Sequence, residues 1–145
     1  MTAGFRAPSL SVVIDREEIS MAKVSKQDAK HDDYGPVESW HDEVDGYAIE
    51  FVTFKQDIDS TPMLKGLPND QCHCPHWGYV LKGSVTFTIN GQDEVFQPGD
   101  AFYVPPGHLQ RTESGTEYLQ FSPAKEMAEV EQQIMKNMQA MQGGS

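Results

Sequence analysis

The sequence has few basic residues, only two cysteines and no long apolar run. Its 22 aspartates and glutamates outnumber 11 lysines and arginines, which gives a formal net charge of -11. Nucleic acids and anionic lipid surfaces are bound by basic faces, so the composition argues against both as partners. No run is apolar and long enough for a membrane-spanning helix. An acidic surface usually aids solubility and does not by itself imply a cationic ligand.

The beginning of the chain lacks the pattern of a secretory signal. Residues 9–14 form an apolar run that is too short, and Asp15, Arg16, Glu17 and Glu18 follow it at once. We therefore expect a cytoplasmic protein. Because that compartment is reducing, the two cysteines suit metal or thiol chemistry better than a structural disulfide.

Period-two alternation and turn residues predict an all-β domain. A chain of 145 residues suits one domain. Residues 47–54 are rich in β-branched and aromatic side chains, and residues 84–89 alternate polar and apolar, as strands do. Asn90-Gly91 is a strong hairpin turn. Further short strands are predicted at residues 79–81, 95–96, 101–104, 108–112 and 117–121. This spacing is typical of a β-sandwich or barrel.

Both ends of the chain differ from this central region. Residues 1–40 are weakly patterned and are interpreted as an N-terminal arm, with a possible short strand at residues 9–14. We assign residues 41–122 to the barrel and residues 123–145 to a C-terminal helix and tail.

The helix is predicted from its start signal and its periodicity. Ser122 is a suitable N-cap, and Pro123 suits the first helical position. An amphipathic, methionine-rich stripe then recurs at three- and four-residue steps: Met127, Val130, Ile134, Met138 and Met141. We expect this stripe to pack against the barrel or a second subunit.

Metal-ligand side chains concentrate in Cys-His-Cys-Pro-His at residues 72–76. Thiolates and imidazoles together favour Zn(II) or Fe(II) over a hard cation such as Mg(II). Simpler interpretations remain open for each side chain. Free cysteine is often a buried filler, His76 could be a core histidine bonded to a carbonyl, and His108 could be an exposed turn residue.

Glycine and proline turn residues follow this cluster at spacings that match a known family pattern. Gly83 closes the phrase Tyr-Val-Leu-Lys-Gly at residues 79–83, and Gly99, Pro105 and Gly107 continue the pattern at the expected spacing. Over residues 47–121 the sequence resembles the cupin superfamily. The resemblance implies a cupin-type antiparallel β-barrel (jelly roll), one Fe, Mn, Ni or Zn ion inside it, and frequent dimers. Cupins include dioxygenases, isomerases, lyases and non-enzymatic ligand binders.

The expected metal ligands of that family are partly replaced. A strict carry-over of the two motifs gives Asp70, Cys72, His76 and Gln110. If both antiparallel strands are instead displaced by two residues, the site slides along the ladder to Cys72, Cys74, His76 and His108. Side chains two apart keep one face of a strand, so His73, Trp77 and Tyr79 should face away.

We therefore predict one divalent transition metal, zinc before Fe, Ni or Mn, bound by Cys72, His76 and His108. Cys74 is the fourth ligand or a neighbour, and ligation by Asp70 or Gln110 stays open. Four protein ligands would make the site structural, whereas three would leave a position for chemistry.

The expected function is that of a metal-dependent enzyme acting on a small organic molecule. The alternatives are a non-catalytic cupin that binds a small ligand or senses metal or redox state, and a structural metal site in a self-associating protein. Whether the chain is an enzyme stays open at this point. We expect a small-molecule ligand and a homodimer, with neither nucleic acid nor membrane as partner.

Overall fold

A computed structural model describes residues 21–143, so the strand expected at residues 9–14 lies outside the described residues. The elements within this range are ten strands and one long helix, with two short 3₁₀ turns at Thr61–Leu64 and Pro68–Asp70. The strands are β1 (Lys30–Asp33), β2 (Val37–Val44), β3 (Tyr47–Phe54), β4 (Ile58–Asp59), β5 (His76–Lys82), β6 (Val85–Ile89), β7 (Gln92–Phe96), β8 (Ala101–Val104), β9 (Leu109–Thr112) and β10 (Glu117–Pro123). The helix α1 is Ala124–Gly143.

The strands form a six-stranded sheet in the order β1-β2-β3-β10-β5-β8 and a four-stranded sheet in the order β4-β9-β6-β7. Neighbouring strands are antiparallel in both sheets. The prediction of an antiparallel jelly roll followed by a helix is therefore confirmed. The two sheets face each other without closing into one continuous hydrogen-bonded barrel.

The main core lies between the two sheets. Phe87 of β6 meets Phe102 of β8 with ring centroids 5.3 Å apart, and Phe54 meets Tyr118 at 5.6 Å. Val80 and the other buried side chains of this cluster occupy every second position of their strands, on the side that faces inward. Each such side chain contributes about 1.5–3 kcal/mol when it is fully buried. The period-two pattern of residues 84–89 therefore marks a strand with one face in this core.

Helix α1 covers the region beside this core with Met127, Val130 and Ile134 of the predicted stripe, whereas Met141 is 53% exposed. Val130 is 5% exposed and packs with Leu64, Cys72 and Cys74 in a second apolar cluster. Asn137 Nδ2 donates hydrogen bonds to the carbonyl oxygens of Met63 and Lys65, at 2.7 and 2.8 Å. No helix among the described residues has the length and apolar character needed to cross a bilayer.

The start of α1 differs from its prediction. Strand β10 continues to Pro123, and α1 begins at Ala124. The interpretation of Ser122 as the N-cap is wrong, because Ser122 is a strand residue whose hydroxyl lies 2.7 Å from Nδ1 of His76. The local signal for a cap is overridden by the pairing of Ser122 with Ala48.

Two strands at one edge of the large sheet lie where the sequence has little periodicity. Strand β1 is polar along its whole length, and its histidine and aspartate side chains pair across to β2. His31 Nε2 lies 2.9 Å from Glu38, and His41 Nε2 lies 2.7 Å from Asp32. Charged side chains on an edge strand discourage pairing with other chains. The same charges hide the strand from a search for apolar alternation.

Gly78 allows β5 to pass close to the core, and its replacement tests this packing. A Cβ atom at this position would lie 2.2 Å from Cζ of Phe102 and 2.6 Å from the backbone oxygen of Leu119. We expect Gly78→Ala to lower the free energy of unfolding by about 2–3 kcal/mol, measured by urea denaturation.

The matched control is Gly91→Ala in the β6–β7 turn. Gly91 has φ of +76°, and a Cβ atom added there would meet nothing within 4 Å, so the cost is conformational only, about 1 kcal/mol. Equal losses for the two variants would contradict the packing explanation.

Candidate metal centre

The segment that carries Cys72 pairs directly with the segment that carries His108. Cys72 N donates to the His108 oxygen at 3.0 Å, and His108 N donates back to the Cys72 oxygen at 3.1 Å. The two residues form an isolated antiparallel bridge. The predicted antiparallel alignment of the two segments is confirmed, and it places these side chains opposite each other.

Three donor side chains come together at this bridge. The ligand atoms of Cys72, His76 and His108 all lie within 4.8 Å of one another, and all three residues are buried. Cys72 Sγ lies 3.6 Å from His76 Nε2. Tetrahedral zinc with ordinary Zn–S and Zn–N bonds holds sulfur and nitrogen about 3.5 Å apart. The separation of these two atoms therefore suits a shared metal ion.

His108 has the tautomer that a metal requires. Its Nδ1 lies 2.9 Å from the carbonyl oxygen of Pro105, and a carbonyl only accepts, so Nδ1 carries the proton. Its Nε2 then bears a free lone pair. This atom is buried and has no hydrogen-bond partner among the described residues. An unsatisfied buried acceptor costs about 1–3 kcal/mol, which a bound ion would remove.

His76 is held in place by β10. Its Nδ1 and the hydroxyl of the fully buried Ser122 are 2.7 Å apart. A hydrogen bond to the second ring nitrogen is what usually fixes the orientation of a metal-bound histidine. Burial, and then the neighbouring His108, lower the pKa of His76 to about 3. The ring is therefore neutral at pH 7, with Nε2 directed at Cys72.

Cys72 is a thiol when no cation is near. Burial raises its pKa to about 11. Since the thiolate is the form that binds metals, ligation would release this proton and would become tighter as the pH rises.

Cys74 is not part of the three-residue group. Its side chain is fully buried, but Sγ donates towards the oxygens of Pro75, at 3.5 Å, and Pro123, at 4.0 Å. Strand β5 begins only at His76, so residues 73–75 do not keep the alternation of a strand. Pro75 lacks a backbone N–H and interrupts the ladder here. Cys74 is consequently a neighbour of the group and packs beneath α1.

The two other ligand candidates lie in different environments. Asp70 is exposed in a 3₁₀ turn, where its Oδ1 accepts from Gly66 N at 3.0 Å. Gln110 lines the cavity beside the group, but its Nε2 donates to Thr112 and Tyr118, both at 3.0 Å. Neither belongs to the group around Cys72.

His73, Trp77 and Tyr79 face away from the three-residue donor group, as predicted. His73 Nε2 lies 2.8 Å from the oxygen of Pro68, so it donates to this loop carbonyl. Trp77 and Tyr79 are 42% and 43% exposed on the outer face of the large sheet.

A cavity of about 180 Å³ adjoins the three donors. Its walls are mainly apolar and come from the inner faces of both sheets and from α1, which includes Met127, Val130 and Ile134. The cavity provides room for a small molecule within reach of Cys72, His76 and His108.

Glu50 is a functional candidate that the sequence interpretation missed. It lines the same cavity and is only 4% exposed. Gln120 Nε2 donates to its Oε1 at 3.2 Å, and Ser39 Oγ donates to its Oε2 at 3.4 Å. Glu131 of α1 lines the same cavity. A signal existed, because Glu50 is the only carboxylate residue of β3 and has the inward parity of Val52 and Phe54.

Burial raises the pKa of Glu50. Partial burial of its carboxyl and the charge of Glu50 raise the pKa of Glu131 to about 7. The two carboxyl groups therefore hold a proton between them at a pH where ordinary carboxyls are ionised.

Comparison with known proteins finds one matching family model and several solved structures with a similar fold. The family model described as "Cupin domain" matches residues 71–117. No curated protein sequence matches the chain.

Solved structures share the fold at low identity. An RmlC-like cupin from Shewanella frigidimarina NCIMB 400 is 17% identical, with a TM-score of 0.51 over 72% of this chain and 92% of that one. The polyketide cyclase RemF from Streptomyces resistomycificus is 18% identical, with a TM-score of 0.50 over 72% and 80%. An oxalate decarboxylase variant from Bacillus subtilis is 17% identical, with a TM-score of 0.51 over 72% of this chain but 30% of that one.

The raised carboxyl pKa values predict a particular pH dependence of stability. Groups with a raised native pKa bind protons more tightly when folded, so they lose stabilising effect as the pH rises from about 4.5 to about 7. We expect Glu50→Gln to remove this loss. In the metal-free protein, the free energy of unfolding of Glu50→Gln relative to wild type should rise across this window by at least about 1 kcal/mol, allowing for screening at Glu131.

The matched control is Glu129→Gln, an exposed position on α1, the helix that carries Glu131. Contributions from the buried histidines cancel in each comparison with wild type. A difference between Glu50→Gln and wild type that does not change with pH would contradict a shared proton.

Proposed function

We propose, on the premise that the chain belongs to the cupin superfamily, that it is a metal-dependent enzyme acting on a small organic molecule. The proposal rests mainly on His108 Nε2, a buried lone pair without a partner among the described residues. This atom lies in one group with Cys72 and His76, beside a cavity.

The metal that best fits these donors is zinc. One thiolate and two imidazoles form a donor set typical of Zn(II), with Fe, Ni or Mn as the alternatives. Three protein ligands leave one tetrahedral position for a substrate oxygen or water. When bound, such an ion supplies Lewis acidity towards a carbonyl or carboxylate oxygen, or lowers the pKa of a water molecule.

Other residues of the chain would orient the ligands, exclude water and hold a proton. The carbonyl of Pro105 and the hydroxyl of Ser122 orient the two imidazoles, and Cys72 contributes negative charge once its thiol proton is released. The apolar walls exclude bulk water from the bound molecule. Glu50 and Glu131 are placed to hold a proton at the cavity and to exchange it with a substrate.

We further propose a homodimer that forms through the outer face of the large sheet. Two adjacent rows of this face are almost free of charge. They are Trp40, Phe51, Leu119, Tyr79 and Ala101, and Asp42, Ile49, Phe121, Trp77 and Tyr103. In a chain of net charge -11, a second copy would be repelled by most of the surface but not by this face. The face therefore suits a two-fold, self-complementary contact.

A cytoplasmic location is proposed from the same chemistry. Both cysteines are free thiols, and Cys72 binds a metal only while it is not oxidised. A reducing compartment preserves that state.

Substitution of the two cysteines tests the metal centre. Because only Cys72 belongs to the donor group, we expect Cys72→Ser to weaken zinc binding by at least about tenfold and to abolish thiolate-to-cobalt charge-transfer absorption after Co(II) loading. The matched control is Cys74→Ser, which should keep both properties. Equal losses for the two variants, or wild-type protein that binds neither ion, would refute the site.

The coordination number distinguishes an enzyme from a binding protein. X-ray absorption of the zinc-loaded protein should show one sulfur, two nitrogens and one exchangeable light atom. A second sulfur, contributed by Cys74, would fill the shell and refute the enzyme. One open position without turnover of any small carbonyl compound would favour the non-catalytic ligand-binding cupin.

Sedimentation velocity tests the dimer. Phe121 is 39% exposed in the centre of the outer face, and Phe121→Lys would bury an unpaired charge in the contact. We expect this variant to raise the dimer dissociation constant by at least about tenfold. Val95→Lys, at a position 52% exposed on the small sheet, adds the same charge elsewhere and should leave the dimer intact. A monomeric wild-type protein at high concentration would refute the proposal.

A further inference from the structure

The cavity has two chemically different ends, and both are built on β10. Ser122 contacts His76, whereas Gln120 contacts Glu50. These two β10 residues are both buried and lie two positions apart on one face of the strand, about 7 Å from each other. A single small molecule in the cavity can therefore touch both the donor group around Cys72 and the carboxyl end around Glu50.

The carboxyl end has negative groups without a compensating cation. Glu50 and Glu131 both line this end of the cavity, yet no lysine or arginine of residues 21–143 forms an ion pair with either. His41 lies nearby, but its Nε2 is paired with Asp32 at 2.7 Å. The buried carboxyl of Glu50 has hydrogen-bond donors but no cation beside it, and a buried charge without an opposite charge is costly, so this end of the cavity favours a positively charged occupant.

Gln120 adds an independent indication of a ligand. Its amide nitrogen donates to Glu50 at 3.2 Å. The remaining amide oxygen is buried and without a partner among the described residues, and the whole residue is 4% exposed. A buried acceptor of this kind needs a donor.

The available atoms at this end are nearly all acceptors. They comprise two carboxyl groups, the oxygen of Gln120 and the lone pairs of the Ser39 hydroxyl, which itself donates to Glu50. A protonated amine provides three donors and one positive charge, which match this set. The apolar walls from Val52, Phe54 and the α1 stripe suit an aliphatic stem, and the volume of about 180 Å³ limits its length.

We infer that the cavity binds a small aliphatic amine, with its ammonium group held by Glu50, Glu131 and Gln120. The remainder of the ligand follows from the proposed function, on which this part of the inference rests. An oxygen donor at the opposite end of the molecule would reach the metal at Cys72, His76 and His108. The ligand class is thus a short amino-carboxylate or amino-carbonyl compound.

Calorimetric titration with three probes tests the two ends separately. The probes are butylamine, butanoate and 4-aminobutanoate, each titrated into metal-free and zinc-loaded full-length protein. Butylamine should bind the metal-free wild type, and Glu50→Gln should weaken this binding by about tenfold or more, because a hydrogen bond to a charged group is lost. Glu129→Gln, at an exposed position of α1 near Glu131, should not change it. Zinc should strengthen binding of 4-aminobutanoate but not of butylamine.

The outcomes separate this inference from the proposed function. Amine binding that depends on Glu50, with no effect of zinc on 4-aminobutanoate, supports the ammonium site and counts against the metal-dependent enzyme. Butylamine that binds no better than butanoate to metal-free protein, or that binds Glu50→Gln as well as wild type, refutes the ammonium site. Thermal melts verify folding of Glu50→Gln, and Glu131→Gln serves as the second variant with the same expected loss.

Discussion

Two backbone hydrogen bonds between Cys72 and His108 determine where the donor atoms of the candidate metal centre lie. They join a loop that contains no regular strand to the turn after Pro105-Pro106-Gly107, outside both sheets. Backbone pairing of this kind fixes the distance between opposite side chains to within a narrow range. Because Cys72 and His108 are fixed by the main chain, their donor atoms converge without support from a surrounding ladder.

His76 completes the group from a different element, and this has a structural cost. It is the first residue of β5, so its position depends on the register of the whole large sheet. The ring is directed by Ser122, and the ring of His108 lies 5.0 Å away, between centroids. Two neutral, buried imidazoles beside a buried thiol provide little stability by themselves. Their retention in a core is understandable when the group binds an ion.

The sequence predicts the strands and the centre of the site for identifiable reasons. Alternation at residues 84–89 and the Asn90-Gly91 turn report a sheet with one buried face, and strand β3 matches its predicted bounds. The pairing of Cys72 with His108 follows from the resemblance to the cupin motifs, whose two strands pair antiparallel. Parity places Trp77 and Tyr79 correctly, because both lie in β5, but it fails for Cys74, because a strand period cannot be applied to the residues before Pro75.

Other features escape the sequence because they depend on contacts between distant segments. Strand β1 carries no apolar pattern, and its pairing with β2 relies on side chains such as His31 and Glu38. Ser122 has the local signature of a helix cap, but sheet pairing determines its conformation. Glu50 could be identified as an inward carboxyl from parity alone, whereas its contact with Glu131, 81 positions along the sequence, could not.

Strand β10 passes into α1 at Pro123 and Ala124 without an intervening loop. The strand that carries Gln120 and Ser122 and the helix that carries Val130 and Glu131 are consequently one continuous length of backbone. Towards the C-terminal end of α1, Asn137 holds the helix to the loop of Met63 and Lys65. A change in the tilt of α1 would therefore be transmitted through Pro123 to Ser122 and Gln120, which contact His76 and Glu50.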